Sequence, residues 1–164
     1  MIARLIGTVG GVGYVRPAPG TWGSAAALPL AWGIHMLGGF PLLVIALILV
    51  FAAGWWATIQ MTAGQADHDP SEIVVDEVAG QWIAILPLSI GATHVNANIL
   101  TLWPGWISAF LLFRLFDILK PGPIGWADRR GDALGVMLDD IIAGIFAAIG
   151  VALLAGISHG ILAI

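Results

Sequence analysis

Long apolar stretches separated by short polar ones dominate the chain, and their lengths fit helices better than strands. Phe40 to Met61 carries no charge and is long enough to cross a bilayer, which takes about 20 residues. Ala25 to Leu37 is equally apolar but shorter, and predicts either a short span or a re-entrant helix. Val78 to Ile90 is the next apolar run, with Pro87 placed to kink it. Ile99 to about Leu119 and Ala133 to Ile164 complete the set. The predicted fold is an all-α, polytopic membrane helix bundle. It has four full spans plus a shorter N-terminal span or re-entrant helix, in a single domain over residues 1–164. Residues 1–23, rich in Gly and Pro, read as an irregular loop or short interfacial segment. Gly91 to Asn98 and Lys120 to about Asp132 read as polar connections.

Composition sharpens the class. Of 164 residues, 59% are hydrophobic and 10% charged, where a soluble domain carries about 25% charged residues. Mean hydropathy is +0.97, so this is an integral membrane protein. With five crossings, residues 1–23, 63–77 and 114–140 share one side. All six cations lie there: Arg4, Arg16, Arg114, Lys120, Arg129 and Arg130. The positive-inside rule makes that side cytoplasmic. Trp55, Trp56, Trp103, Trp106 and Trp126 suit aromatic belts. The chain has no cysteine, which removes disulfides, thiolate metal sites and cysteine nucleophiles. Nothing in the charge pattern points to nucleic acid, and the N-terminus lacks the apolar core of a cleaved signal peptide.

The chemistry concentrates in Asp67-His68-Asp69-Pro70-Ser71-Glu72-Ile73-Val74-Val75-Asp76-Glu77, which holds five of the ten acids and runs into an apolar helix. Asp69 reads as an N-cap, Pro70 as the first helical residue and Glu72 as part of a capping box. That start would put Asp69, Glu72 and Asp76 on one helix face, with Glu77 beside them. Acids at Asp69 and Glu72 also suit the helix dipole alone. Asp76 and Glu77, inside an apolar run, read as ligands. Asp139-Asp140 repeats the arrangement near the start of the last helix, which Asp132 is placed to cap. Two helices offering acidic pairs at one depth make an oxygen cage for a hard cation, and Mg²⁺ fits best. Asp76, Glu77, Asp139 and Asp140 are the expected ligands. Salt bridges to Arg114, Lys120, Arg129 and Arg130 would neutralise part of the same charge.

Arg114, Asp117 and Lys120 are spaced to share a helix face. Arg114 and Lys120 are candidate phosphate ligands, or with Asp117 an ion-pair ladder ending the helix. Arg129 and Arg130 read as lipid-headgroup anchors. Thr21, Gly23 and Ser24 are placed to present amides to an anion at a helix start. His68 is either a general acid or base or a solvated loop residue, and His35, His94 and His159 carry little weight.

Four pieces, in order, resemble the phosphatidylglycerophosphatase A family of bacterial inner-membrane lipid phosphatases. They are Pro19-Gly20-Thr21-Trp22-Gly23-Ser24, Asp69 through Gly80, Phe113 through Pro121, and Gly135 through Gly144. The resemblance implies Mg²⁺-dependent hydrolysis of phosphatidylglycerophosphate to phosphatidylglycerol and phosphate, at a site facing the cytoplasm. The residues agree with that class: no cysteine for a Cys-x5-Arg loop and no histidine–arginine signature, leaving a metal-activated water attacking a phosphomonoester. Asp69 or Asp117 would orient the water or protonate the leaving alkoxide, with Asp76 and Asp140 indispensable. An aspartyl-phosphate intermediate stays open.

Two rivals come from other classes. A CDP-lipid phosphatidyltransferase would need Asp-x2-Asp-Gly-x2-Ala-Arg then Gly-x3-Asp-x3-Asp, of which only Gly135-x3-Asp139 is present. A proton- or cation-coupled transporter would want acids near the bilayer midplane, whereas these gather at one interface.

Overall fold

The computed structural model describes the backbone of residues 1–162 and the side chains of residues 1–158. The end of the predicted last span, at residues 163–164, and the side chain of His159 lie outside the described residues. Among the described residues the chain is all helical: α1 Ile2–Gly7, α2 Pro19–Thr62, α3 Val75–His94, α4 Trp103–Leu119, α5 Pro123–Asp128 and α6 Ala133–Leu162. Short 3₁₀ turns at Val12–Tyr14 and Ile99–Leu102 lead into α2 and α4.

A straight helix as long as α2 would measure about 66 Å, twice a bilayer's hydrocarbon core. It is instead broken at Gly38 and Gly39, and Gly39 takes φ 61°, a left-handed value that favours glycine. Contacts with α3 show the chain reversing there. Along the first arm, Ala27 accepts from Trp82 Nε1 (2.9 Å) and His35 meets Ser89 (2.8 Å), so this arm runs parallel to α3. Phe40 N–H then reaches Thr93 Oγ1 at 3.2 Å, while Gly54, further on, packs against Val75. The second arm therefore runs back antiparallel.

α3 is the central helix. Val78, Ala79, Ala84, Ile85 and Ala92 are all buried, and α2, α4 and α6 surround it. α3 continues through Pro87 to His94, four residues beyond the apolar run at Ile90. α3 and α6 cross where Gly80 faces the carbonyl of Asp140 and Gly144 faces that of Gly80, and a methyl group at either would strike backbone. Small residues at such a crossing let helices pack at backbone distance in lipid. α4 runs antiparallel, with Gly105 beside Leu88 and Phe113 beside Gly80. The beginnings of α3 and α6 and the end of α4 thus meet at one end of the bundle.

Three helical segments are long and apolar enough to cross a membrane: Pro19–Thr62, Ile99–Leu119 and Ala133–Ser158. Their outward faces leave Leu37, Ile48, Leu49, Leu111, Ile118 and Leu153 exposed, an apolar area that water would not tolerate but lipid does. The predicted short segment 25–37 is longer than its apolar core indicated, since its helix begins at Pro19. The N-terminal region, expected as an irregular loop or short interfacial segment, holds α1 and a 3₁₀ turn that pack on α2.

Candidate active site

α3 does not begin at Pro70. Its first residue is Val75, and residues 63–74 form a loop, so Asp69, Glu72 and Asp76 do not share a helix face. The capping box fails because the preceding backbone is committed elsewhere. Val74 N–H donates to Gly7 O at 2.9 Å, and the Glu72 carbonyl packs on Gly13 so closely that a side chain there would not fit. Buried Ile73 and Val74 anchor the same strip. Asp76 and Glu77 consequently fall in the first turn of α3, where the free N–H groups favour negative charge. α6 is capped as its sequence predicts: Asp132 Oδ1 accepts from Gly135 N–H at 2.7 Å. Asp139 and Asp140 follow two turns in, beside the Gly80–Gly144 crossing.

A cavity of about 340 Å³ opens between these elements, within the range of small-molecule sites. Asp76, Glu77, Asp139, Asp140, Asp117, Asp69, Arg114 and Lys120 all line it, with Ala18, Pro19, Gly20 and Ser71. A larger groove of about 600 Å³ between α1 and the end of α2 holds no comparable cluster, Arg4 being its one charged side chain.

Carboxylate oxygens of Asp76, Glu77 and Asp140 lie within 4.8 Å of one another, and so do those of Asp117, Asp139 and Asp140. Asp140 belongs to both groups and is only 3% exposed. Asp140 Oδ1 and Glu77 Oε2 are buried with no hydrogen-bond partner among the described residues. Carboxylates packed this way repel one another and lack solvation, so the arrangement calls for positive charge. An all-oxygen donor set with orphaned buried oxygens fits a hard divalent cation. Asp117, a catalytic candidate whose spacing also allowed a ladder with Arg114 and Lys120, joins this cluster.

That ladder is split. Arg114 Nη1 lies 2.5 Å from Asp117 Oδ2 and donates to Ser24 Oγ at 3.4 Å. Lys120 is the C-cap of α4 with φ 44°, which turns it off the Asp117 face. Its ammonium instead bonds Asp139 Oδ2 at 2.8 Å and Asp128, whose part the sequence did not indicate. Burial pulls the Lys120 ammonium down, but hydrogen bonds to Asp128 and Asp139 more than offset this and hold it above the ordinary lysine range. Asp69, in the loop, is open to solvent on one side and crowded on the other. Burial on the crowded side raises its carboxyl above the usual range, with Lys120 opposing.

The remaining predicted residues sort by position. Ser24 is fully buried behind Arg114 and donates to Gly20 O, so it supports the guanidinium rather than lining the cavity. Thr21 does not line the cavity, and its amide is spent on Ala18 O. His68 is exposed in the loop and does not line the cavity. Arg130 pairs with Asp132 at 2.9 Å and lies over the Trp126 ring, 6.0 Å from its centroid, and does not line the cavity. Gln81, one turn beyond Glu77, is completely buried, and neither end of its amide has a partner among the described residues. A lone amide inside the run 78–90 was the available signal.

Comparison with known proteins identifies the family. The profile of the family described as Phosphatidylglycerophosphatase A matches residues 5–155. A Haemophilus influenzae protein named Phosphatidylglycerophosphatase A is 38% identical over 140 residues, covering 85% of this chain and 80% of that protein. An Escherichia coli protein of the same name is 34% identical over 140 residues, covering 84% and 74%. A Bacteroides thetaiotaomicron protein named Putative phosphatidylinositol-3-phosphatase is 37% identical over 152 residues, covering 90% of each. No solved structure matches this chain. The chain belongs to the phosphatidylglycerophosphatase A family, and is a membrane phosphatase.

Proposed function

We propose that this protein hydrolyses phosphatidylglycerophosphate to phosphatidylglycerol and phosphate, with Mg²⁺ held by Asp76, Glu77, Asp139 and Asp140. One observation carries the reading: four chain segments deliver six carboxylates and two cations into a single cavity at one end of a lipid-facing bundle. A bilayer lipid with a terminal phosphate is a substrate that such an end can reach without leaving its membrane. The names of the relatives support the same choice.

Magnesium bound there would supply positive charge to the phosphate oxygens and activate water. The chain's own groups do the rest. Arg114, steadied by Ser24 and Asp117, offers planar donors to the phosphate, and Lys120 adds a point charge. Attack of water on phosphorus breaks the bond to the glycerol oxygen, which leaves as an alkoxide and takes a proton. Asp69, at the cavity wall but outside both converging carboxylate groups, is the group placed to hand over that proton. Asp117 pairs with that guanidinium at the cavity wall.

Both arms of α2, together with α3, α4 and α6, are each long enough to cross, giving five passes in a bacterial inner membrane. All six cations fall at or beside the cavity end, so the positive-inside rule turns it to the cytoplasm. Phosphate release by purified protein from phosphatidylglycerophosphate, with and without Mg²⁺, tests the assignment. Phosphatidylinositol 3-phosphate belongs beside it, because of the Bacteroides relative's name. No release from either lipid at any Mg²⁺ concentration rejects the reading.

A further inference from the structure

We propose that the cavity takes two divalent cations, sharing Asp140, and that the second one releases Arg114 for the substrate phosphate. This rests on the reading of the cavity as a metal-dependent phosphatase site and deepens it. The carboxylates form two groups, Asp76–Glu77–Asp140 and Asp117–Asp139–Asp140, each with oxygens converging within 4.8 Å. The shared member is almost wholly buried, and its Oδ1 has no partner among the described residues. A bridging carboxylate between two ions about 3.5–4 Å apart needs a free oxygen of this kind.

Charge favours two ions over one. With Asp69 carrying its proton, five carboxylates against two cations leave an excess of three negative charges on the cavity wall. One divalent ion would leave an excess of one facing a phosphomonoester that itself carries close to two negative charges. Two ions turn the wall to one net positive charge, and the phosphate is then attracted rather than repelled.

The two groups also differ in how they are balanced. In the first group, Glu77 Oε2 is an orphan and, among the described residues, none of the three acids has a cation in salt-bridge contact. In the second group, Asp117 holds Arg114 and Asp139 holds Lys120. The cations suited to the phosphate are thus occupied by carboxylates. A divalent ion in the second group takes over those carboxylates, which leaves Arg114 free to turn to the substrate, while Lys120 keeps its bond to Asp128. The first ion binds an open set of ligands and the second must displace two ion pairs, so the second binds more weakly, by roughly tenfold.

The test is a Mn²⁺ titration of the purified full chain in detergent, followed by equilibrium dialysis and electron paramagnetic resonance. Two bound ions with spin–spin broadening support the proposal. One ion overturns it and leaves the single-metal reading standing, while no bound ion overturns both. Asp117→Asn is expected to retain one ion and lose the broadening. Arg114→Gln frees Asp117 and is expected to tighten the weaker ion about tenfold with little effect on the tighter one. Unchanged or weaker binding of the second ion in that variant overturns the displacement step.

Discussion

Both ends of α3 bring polar groups into an apolar bundle, yet they treat them in opposite ways. At the far end buried His35 is answered by Ser89, half-buried Trp106 Nε1 by the carbonyl of Ile99, and the more exposed Phe40 N–H by Thr93. At the cavity end Glu77 Oε2, Asp140 Oδ1 and Arg114 Nε have no protein partner among the described residues. Folding alone selects against orphans of this kind, because each costs about 1–3 kcal/mol and more if charged. The far end is therefore finished by the chain itself, whereas the cavity end is finished by what it binds.

The most severe way to probe this contrast is Asp140→Asn. It removes the carboxylate common to both groups, so turnover should fall by roughly a thousandfold or more. The folded protein should be no less stable without metal, since one member of a repelling cluster is gone. Melting curves in detergent with and without Mg²⁺ check both halves. Wild type should gain stability on adding the ion by linkage, and the variant should gain little. An active Asp140→Asn would place the chemistry elsewhere. Arg114→Lys ranks next: it keeps the charge but loses the planar fork, with an expected loss of roughly a hundredfold. A change confined to KM would show that Arg114 only gathers substrate.

Gly20→Ala attacks the same end through packing. A methyl group at Gly20 would collide with Glu77 Oε1 and press on Arg114 Nη1, so a carboxylate must move. A loss of about tenfold in activity, with weakened metal binding and normal expression, is expected. Ser89→Ala is the counterpart at the far end. It strands His35 Nδ1 and should cost about 1–3 kcal/mol of stability while leaving the turnover of folded molecules unchanged. Reduced turnover at equal folded fraction would mean that the two ends are coupled.

Much of this division was legible before any coordinates. Apolar runs marked the helices, and two acidic pairs at helix beginnings marked the site, because lipid punishes charge so heavily that intramembrane acids stand out. The start of α3 was not legible. Asp69-Pro70-Ser71-Glu72 has every local feature of a capping box, but Gly7 and Gly13 claim the backbone of Glu72 and Val74, and that contact is invisible along the chain. The fate of Lys120 was hidden likewise, since its left-handed backbone and its partner Asp128 both depend on how α5 folds back. A usable signal went unread: Asp76 and Asp140 each stand four residues before a glycine, Gly80 and Gly144, where the two helices touch. That spacing is what places the acids one turn from the crossing and hence against each other.

Gln81 tests whether the contrast between the ends holds at its boundary. It sits one turn beneath Glu77, fully buried, with an unanswered amide, so it follows the cavity end's pattern without lining the cavity. If nothing answers that amide in the working protein, Gln81→Met removes an unpaid desolvation cost at nearly constant volume. The expected gain is about 1 kcal/mol, read as a small rise in melting temperature with activity unchanged. A fall in melting temperature would mean that a buried water or a neighbouring side chain answers it, extending the finished part of the bundle up to Glu77. A rise in melting temperature with a loss of turnover would extend the cavity end one turn deeper, because only there does stability yield to a bound ligand.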